Sequence, residues 1–381
     1  MMRRATATLA FILALGLPAV ALANVGTPLM WAGAAHLFIG NAVIGVLEGG
    51  LLAICYKVRA ARSVWLMILA NYFSAWVGYV WLASRINQRL ELDLYYGWRL
   101  LWEMIAVAYV VTIVLEWPFV AGCFAGQRAW FRKSWVASLI VQSASYALLF
   151  CWYALASGTS LFTQMSIVPL EDLSLPDDIL VYYIGEADGD VYVRELGTGR
   201  TDKVFDLDSK DENDCLSISS DRSPSGDDRY ALVAKSDSAD VTNAQAIPIG
   251  IWARADELPH DDQGKVFIPE TRTRPGGTDV PRLGAARDSP WSFYAGYWAI
   301  SGLRGENSRT GDKIGFSFET PFAEWRVRHA TLLPMERVLF QLGPRQICIL
   351  EPETRRIALL TFGRGALAVV KSAAREAMIQ P

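Results

Sequence analysis

Two glutamates lie inside long apolar stretches of the sequence, where an acidic side chain is energetically costly. Glu48 is nine residues before Lys57, and Glu116 is twelve before Arg128. At 1.5 Å per residue, both would lie roughly 14–18 Å inside a helix end. An ionisable group at such a depth in a membrane suggests a functional site. The other polar residues expected to join an intramembrane cluster are Asn41, Asn71, Gln142 and Ser145.

These residues support two interpretations. In the first, Glu48 and Glu116 form a proton or cation site, as in transporters or proton-coupled sensors. In the second, protonated acids form a hydrogen-bonded cluster that holds the helices together. The sequence favours the second, because the spacing of Gly45 and Gly49, extended by Ala53, allows a neighbouring helix to approach closely.

The two glutamates occupy equivalent places in an internal repeat. The tripeptide Val-Leu-Glu occurs twice, 68 positions apart, and its glutamates are Glu48 and Glu116. A cysteine lies seven residues after each glutamate. Beyond the cysteines the offset grows to 71, which aligns Asn71 with Gln142 and Ser74 with Ser145. The sequence therefore predicts two related helical hairpins with the same orientation, as in parallel-repeat membrane proteins.

Four apolar segments are each long enough for a membrane-spanning helix, which needs about 20 residues. Their predicted bounds are about 30–56, 64–84, 100–126 and 134–158. Residues 1–23 resemble a secretory signal peptide, with Arg3-Arg4 before an apolar stretch and an Ala-x-Ala site at its end. If it is not cleaved, this stretch is a fifth span. We expect a four-helix transmembrane domain over residues 24–160.

Charge divides the chain at the same point. Residues 1–158 contain 11 Lys or Arg and 5 Asp or Glu, whereas residues 159–381 contain 25 and 34. The first and third loops between spans are basic without acids, which predicts that they are cytoplasmic. We therefore expect a bacterial inner-membrane protein whose C-terminal domain, residues 161–381, is periplasmic or extracellular. Its acidic balance argues against nucleic-acid binding.

The pattern changes to short alternating strands after residue 161. Strand, turn and strand follow one another over 179–205, and the same order recurs over 337–360, each with a threonine five residues after a strand valine or isoleucine. These two segments resemble blades of YVTN/PQQ-type β-propellers, which implies an all-β and propeller-like domain. A β-sandwich is the alternative, and residues 210–330 look irregular. The whole architecture also resembles uncharacterised bacterial four-span membrane proteins with an outer β-domain.

Candidate sites in the outer domain are few. One candidate is an aromatic run that consists of Trp291, Phe293, Tyr294, Tyr297 and Trp298. It could form a surface that binds sugars or contacts a membrane, or it could form a core strand. Cys215 and Cys348 are the two cysteines of this domain, and an oxidising compartment would allow them to form a disulfide. No nucleophile, metal or nucleotide motif is present, so the sequence predicts no catalytic residue, metal site or cofactor.

The sequence therefore favours a non-enzymatic function. We expect the helices to anchor a β-domain that binds an envelope protein or glycan, or that serves as a scaffold or assembly protein. Transport or proton-coupled sensing through Glu48 and Glu116 is the first alternative. A periplasmic hydrolase is the second alternative. The Asp and Glu residues of the outer domain could include a catalytic pair, although their spacing does not select one.

Overall fold

The structure is a computed structural model that describes residues 33–78, 93–156, 160–219, 229–235, 246–268, 278–296, 302–319 and 324–371. The chain divides into two units. The first consists of Met1–Thr159 and Thr320–Ala323, and the second of Ser160–Glu319 and Glu324–Pro381. The predicted signal peptide and the end of the second predicted span, residues 79–84, lie outside the described residues.

The described part of the first unit is mostly helical. Its long helices are α1 (Asn41–Tyr56), α2 (Ala60–Val77), α3 (Gly97–Cys123) and α4 (Trp130–Ala156), and a π-helical segment, His36–Gly40, leads into α1. Three stretches are long and apolar enough to cross a membrane, namely Gly33–Tyr56, Gly97–Cys123 and Trp130–Ala156. The described part of α2 is 18 residues long, and it is not among these three.

Helices α1 and α2 form a tightly packed antiparallel hairpin. A Cβ atom added to Gly49 would overlap the backbone of Val64, and one added to Gly45 would overlap that of Ile68. The Ser63 hydroxyl donates a hydrogen bond of 2.9 Å to the Gly49 carbonyl oxygen. The glycine spacing seen in the sequence therefore places two helix backbones in direct contact.

Helices α3 and α4 form the second hairpin, and here large rings lie between the helices. Trp117 stacks on Trp135 with ring centroids 5.0 Å apart, and its indole nitrogen donates to the Ser134 hydroxyl at 3.1 Å. In the repeat, Trp117 is the counterpart of Gly49. The two hairpins therefore share a topology and differ in how their helices meet.

The second unit is rich in β-structure. Its described strands are β1 (Ser166–Ile167), β2 (Ile179–Gly185), β3 (Val191–Glu195), β4 (Thr201–Phe205), β5 (Cys215–Ser219), β6 (Arg229–Lys235), β7 (Ala246–Arg254), β8 (Thr278–Asp279), β9 (Trp291–Ala295), β10 (Leu303–Asn307), β11 (Lys313–Phe316), β12 (Phe318–Glu319), β13 (Glu324–Trp325), β14 (Val327–Leu333), β15 (Arg337–Leu342), β16 (Gln346–Glu351) and β17 (Arg356–Val370). Short helical turns are α5 (Leu161–Gln164) and the 3-10 segments Leu170–Asp172, Ala255–Glu257, Gly284–Asp288 and Pro334–Glu336.

The largest sheet is a curled half-barrel with the strand order β14-β15-β16-β17-β2-β3-β4, and the short β1 lies parallel to β17. Strand β17 is 15 residues long. Its first half pairs with β16 and its second half with β2. The two segments that the sequence singles out, 179–205 and 337–360, therefore belong to one continuous sheet. The smaller sheets have the orders β5-β6-β7, β11-β10-β9-β8 and β12-β13.

Strand β2 is buried on both faces, because a hydrophobic core lies on each side of it. Ile179, Val181 and Tyr183 pack into one core, whereas Leu180, Tyr182 and Ile184 pack into the other. This placement explains why the segment is a continuous apolar run rather than an alternating one. Residues 210–330 were expected to be irregular. Their described part contains β5–β13 and the start of β14. Short strands such as β9 and β10 alternate buried and exposed residues, which weakens the hydropathy signal.

Candidate functional site

Four neutral polar side chains surround the two glutamates of the first unit. Asn71 of α2 donates to Glu48 Oε2 at 2.5 Å, and Ser145 of α4 donates to Glu48 Oε1. Ser74 of α2 donates to Glu116 Oε1 at 2.5 Å, and Gln142 of α4 donates to Glu116 Oε2. Each carboxyl oxygen therefore has one donor. We call these six residues the carboxyl cluster.

The hydrogen bonds of the carboxyl cluster follow the internal repeat. Each glutamate accepts an amide hydrogen from the second helix of its own hairpin and a hydroxyl hydrogen from the second helix of the other hairpin. The aromatic rings of Tyr56 and Phe124, another equivalent pair, meet at 5.3 Å. The reciprocal pattern indicates that the hairpins are related by an approximate twofold axis along the helices.

The carboxyl cluster is removed from solvent. Glu48 and Glu116 are each 1% exposed. The two carboxyl groups interact electrostatically with each other, and the Tyr146 phenol interacts with both. Among the described residues, no lysine, arginine or histidine bonds to either carboxyl group. The negative charge that ionisation would create therefore has no cationic hydrogen-bond partner among the described residues.

The predicted intramembrane set and the observed cluster differ at two positions. Asn41 is buried, but its amide donates to the Leu37 carbonyl oxygen at 3.0 Å, next to the π-helical segment, and not to a glutamate. Ser74 was not in the predicted set and belongs to the cluster. The repeat could have identified it, because Ser74 is the counterpart of Ser145 at the offset of 71.

The predicted aromatic surface lies partly in the core. In β9, Trp291 is 2% exposed and Phe293 is 4% exposed, and their rings stack at 5.4 Å, so neither contributes to a surface. Tyr294 points to the opposite, exposed side of the strand. Tyr297 and Trp298 lie outside the described residues. Trp291 and Phe293 therefore belong to a core strand, which is the alternative that the sequence left open.

The two cysteines of the outer domain lie in different strands. Cys215 begins β5 and Cys348 lies in β16, and both are fully buried. Both are thiols in the structure, and the disulfide between them stays a prediction.

The second unit contains a cleft of about 770 Å³. Its charged lining residues are Asp261, Asp262, Lys265, Asp279, Arg282 and Arg328. Apolar residues such as Val280, Phe293 and Leu367 line it as well. No sequence motif indicates this cleft, because its residues come from β8, β9, β14, β17 and the loop before residue 268.

A strained histidine lies in the wall of the cleft. His329 has φ +49°, and it sits at a bulge of β14 between Arg328 and Thr331. Burial, and then the charge of Arg328, lower the pKa of His329 to about 4. The imidazole is therefore neutral at physiological pH. Among the residues that the structure describes, no group of three or more His, Cys, Asp or Glu side chains could hold a metal ion.

Comparisons with known proteins provide no functional assignment. No family model and no curated protein matches the chain. A solved structure from a mechanistic study of two prolyl endopeptidases is similar at 17% sequence identity, over 53% of this chain and 30% of that chain, with a TM-score of 0.17. The chain thus spans less than a third of that protein, and such a TM-score supports no statement on fold or function.

Proposed function

We propose that this protein is a membrane-anchored binding or scaffold protein of the bacterial envelope. The observation that carries the proposal is the cleft of about 770 Å³ in the β-domain. A concave site that combines apolar and polar lining residues is a candidate for ligand binding. The helical unit supplies the anchor, because three of its stretches are long and apolar enough to cross a membrane.

The finer arrangement also belongs to this proposal. In it, α2 is the fourth span of a four-helix bundle, residues 1–23 are a signal peptide, and the β-domain is periplasmic and propeller-like. The basic first and third loops support this orientation. The reciprocal bonds of the carboxyl cluster support the bundle, because α2 and α4 each donate to both glutamates.

Binding explains the cleft better than hydrolysis does. Three aspartates and three positively charged side chains line the cleft. Burial lowers the pKa of His329, which also lines it, to about 4. A base poised near neutral pH is what general acid–base catalysis requires, and His329 is far from that condition. The mixed charges and the apolar lining residues suit a segment of a protein partner that carries both charged and apolar side chains.

The experiment is purification of the full-length protein from native membranes in mild detergent, followed by intact mass measurement of the complex. We expect a stoichiometric envelope protein that stays bound in Lys210→Glu and dissociates in Lys265→Glu. Lys265 lines the cleft, whereas the Lys210 side chain is exposed outside it. A complex that survives Lys265→Glu would contradict the cleft as the binding site. Recovery of the chain alone would contradict the scaffold function.

A further inference from the structure

The carboxyl cluster contains two kinds of hydrogen-bond partner, and they respond differently to a proton. On Oε2, each glutamate accepts from an amide, Asn71 or Gln142. An amide nitrogen only donates. On Oε1, each glutamate meets a hydroxyl, Ser145 or Ser74, and a hydroxyl both donates and accepts.

Each of the two hydroxyls has a second acceptor within reach. Ser145 Oγ lies 2.9 Å from the Val141 carbonyl oxygen, and Ser74 Oγ lies 3.1 Å from the Asn71 carbonyl oxygen. A serine has one hydroxyl hydrogen, so it donates either to the carboxylate or to the backbone carbonyl. When it turns to the carbonyl, its oxygen is free to accept a hydrogen from a protonated carboxyl group.

We propose that Glu48 and Glu116 form a proton-binding site that keeps its hydrogen bonds in both ionisation states. A proton from water forms an O–H bond on Oε1 of one glutamate, and the cluster becomes less negative by one charge. The adjacent serine then accepts from that O–H group and donates to the backbone carbonyl one turn earlier, that of Val141 for Ser145 or of Asn71 for Ser74. The amide bond on Oε2 is unchanged. Release of the proton to water reverses each step.

The absence of a cationic partner among the described residues supports this assignment. A buried carboxylate without a counter-charge costs several kcal/mol, and two of them within electrostatic range cost more. A bound proton removes one charge without a conformational change. Among the described residues, the titratable side chains that face the cluster are the phenols of Tyr146 on α4 and, beside it, Tyr109 on α3, and a phenol is never a cation.

The asymmetry of the repeat indicates where a proton enters. Met67 of α2 is completely buried in the apolar core of the helices. Its counterpart at the offset of 71 is Ser138, which is also completely buried, and whose Oγ has no hydrogen-bond partner among the described residues. The serine is much smaller than the methionine and leaves a polar group unsatisfied. A buried water would satisfy it.

Ser138 lies beside the carboxyl cluster. It precedes Gln142 by one helical turn, and a helical side chain leans over the turn before its own Cα. The Gln142 amide, which donates to Glu116, therefore covers the turn that carries Ser138. A water at Ser138 would connect the cluster to the N-terminal end of α4, where Ser134 continues the same face. The proposal does not depend on the cleft or on any partner of the β-domain.

Infrared difference spectroscopy of the full-length protein in liposomes tests the proposal directly. We expect a carbonyl band of a protonated carboxyl group that titrates with pH and shifts in D₂O. Because the proton can reside on either glutamate, we expect Glu48→Gln and Glu116→Gln each to remove the contribution of the substituted residue. The absence of such a band at every pH at which the protein is folded would overturn the proposal. Disappearance of the band when sodium is added at constant pH would also overturn it, because the site would then bind a metal cation.

The rate at which the carboxyl proton exchanges for deuterium in D₂O, followed by the shift of the carbonyl band, tests the entry path. This measurement requires no substitution of the glutamates. We expect Ser138→Met, which introduces the residue of the other hairpin, to slow the exchange about tenfold by displacing the water. Met67→Leu is the matched control and leaves the rate unchanged. Equal exchange rates in Ser138→Met and the unmodified protein would refute entry at Ser138. This measurement remains decisive if the two Glu→Gln variants fail to fold.

Discussion

Buried carboxyl groups in the two units are balanced in different ways. In the β-domain, Glu351 is 6% exposed and bonds to Arg337 and Arg356, the latter at 2.5 Å. In the helical unit, Glu48 and Glu116 bond only to amides and hydroxyls among the described residues. The same side chain therefore has charged partners in one unit and neutral partners in the other.

The difference follows from how much water a charged partner can still contact at each site. Burial raises the pKa of Glu351, but bonds from Thr354 and Arg356 and the charges of Arg337 and Arg356 outweigh it, so its pKa lies below the usual value. Arginine suits this place because the Arg356 side chain is one-third exposed and keeps part of its hydration. Arginines buried beside Glu48 and Glu116, which are each 1% exposed, would lose that hydration, and neutral donors avoid this cost.

The largest expected effect is the loss of the charge on Glu351. Glu351→Gln leaves Arg337 and Arg356 with an uncompensated positive charge in a buried site. We expect the free energy of unfolding of the β-domain to fall by about 3–5 kcal/mol. Thermal and denaturant unfolding of the full-length protein, followed by near-UV circular dichroism, measures it. Glu353→Gln, at an exposed position of the same turn, is the control, and equal stability of the two variants would contradict a buried ion pair.

The first hairpin of the helical unit depends on close packing of its two helices, and the adjacent residues Gly49 and Gly50 test this packing. A Cβ on Gly49 would overlap the Val64 backbone, whereas one on Gly50 meets no atom within 4 Å. We expect Gly49→Ala to destabilise the first hairpin by about 1–3 kcal/mol, and Gly50→Ala to stabilise it by about 0.5–1 kcal/mol through helix propensity. Thermal melts in detergent separate the two, and equal melting temperatures would show that the helices do not touch at Gly49.

A third test concerns His329, the partly buried histidine in the wall of the cleft. Its folded pKa of about 4 lies below the ordinary value of 6.5, so the unfolded chain binds the proton first. Stability is therefore full well above pH 6.5, and about 3 kcal/mol is lost as the pH falls to 4. Unfolding midpoints measured across this range show the loss. His329→Asn, which tolerates the positive φ, should lessen the slope, and an unchanged slope would assign it to other groups.

The smallest expected effect sharpens the comparison with Glu351. Where Glu48 holds the proposed proton, Glu48→Gln replaces a carboxylic acid with an amide of the same shape, so we expect the free energy of unfolding to fall by less than about 1 kcal/mol. The same substitution at Glu351 is predicted to cost several times more. Thermal melts of the two variants, recorded side by side near neutral pH, make the comparison. A loss at Glu48 as large as that at Glu351 would mean that Glu48 is charged.

Much of the helical unit follows from sequence periodicity and composition. Long apolar runs predict α1, α3 and α4, and the offsets of 68 and 71 relate Glu48 to Glu116 and Asn71 to Gln142. The β-domain was less predictable. Its terminal hairpins have continuous apolar strands, whereas β9 and β10 are short and half polar. The aromatic run at 291–298 could not be assigned to a face, because strand alternation does not identify which face is buried.

The sequence by itself determined which residues lie at equal depth, since helical rise and repeat offsets depend only on position along the chain. It did not determine helix rotation or which neighbours meet. Only the tertiary structure joined Ser145 to Glu48 and Ser74 to Glu116, and it turned Asn41 towards the Leu37 carbonyl oxygen. The cleft arose in the same way, because strands far apart in sequence converge only when the sheets pack. Such contacts depend on packing between elements, which local sequence does not encode.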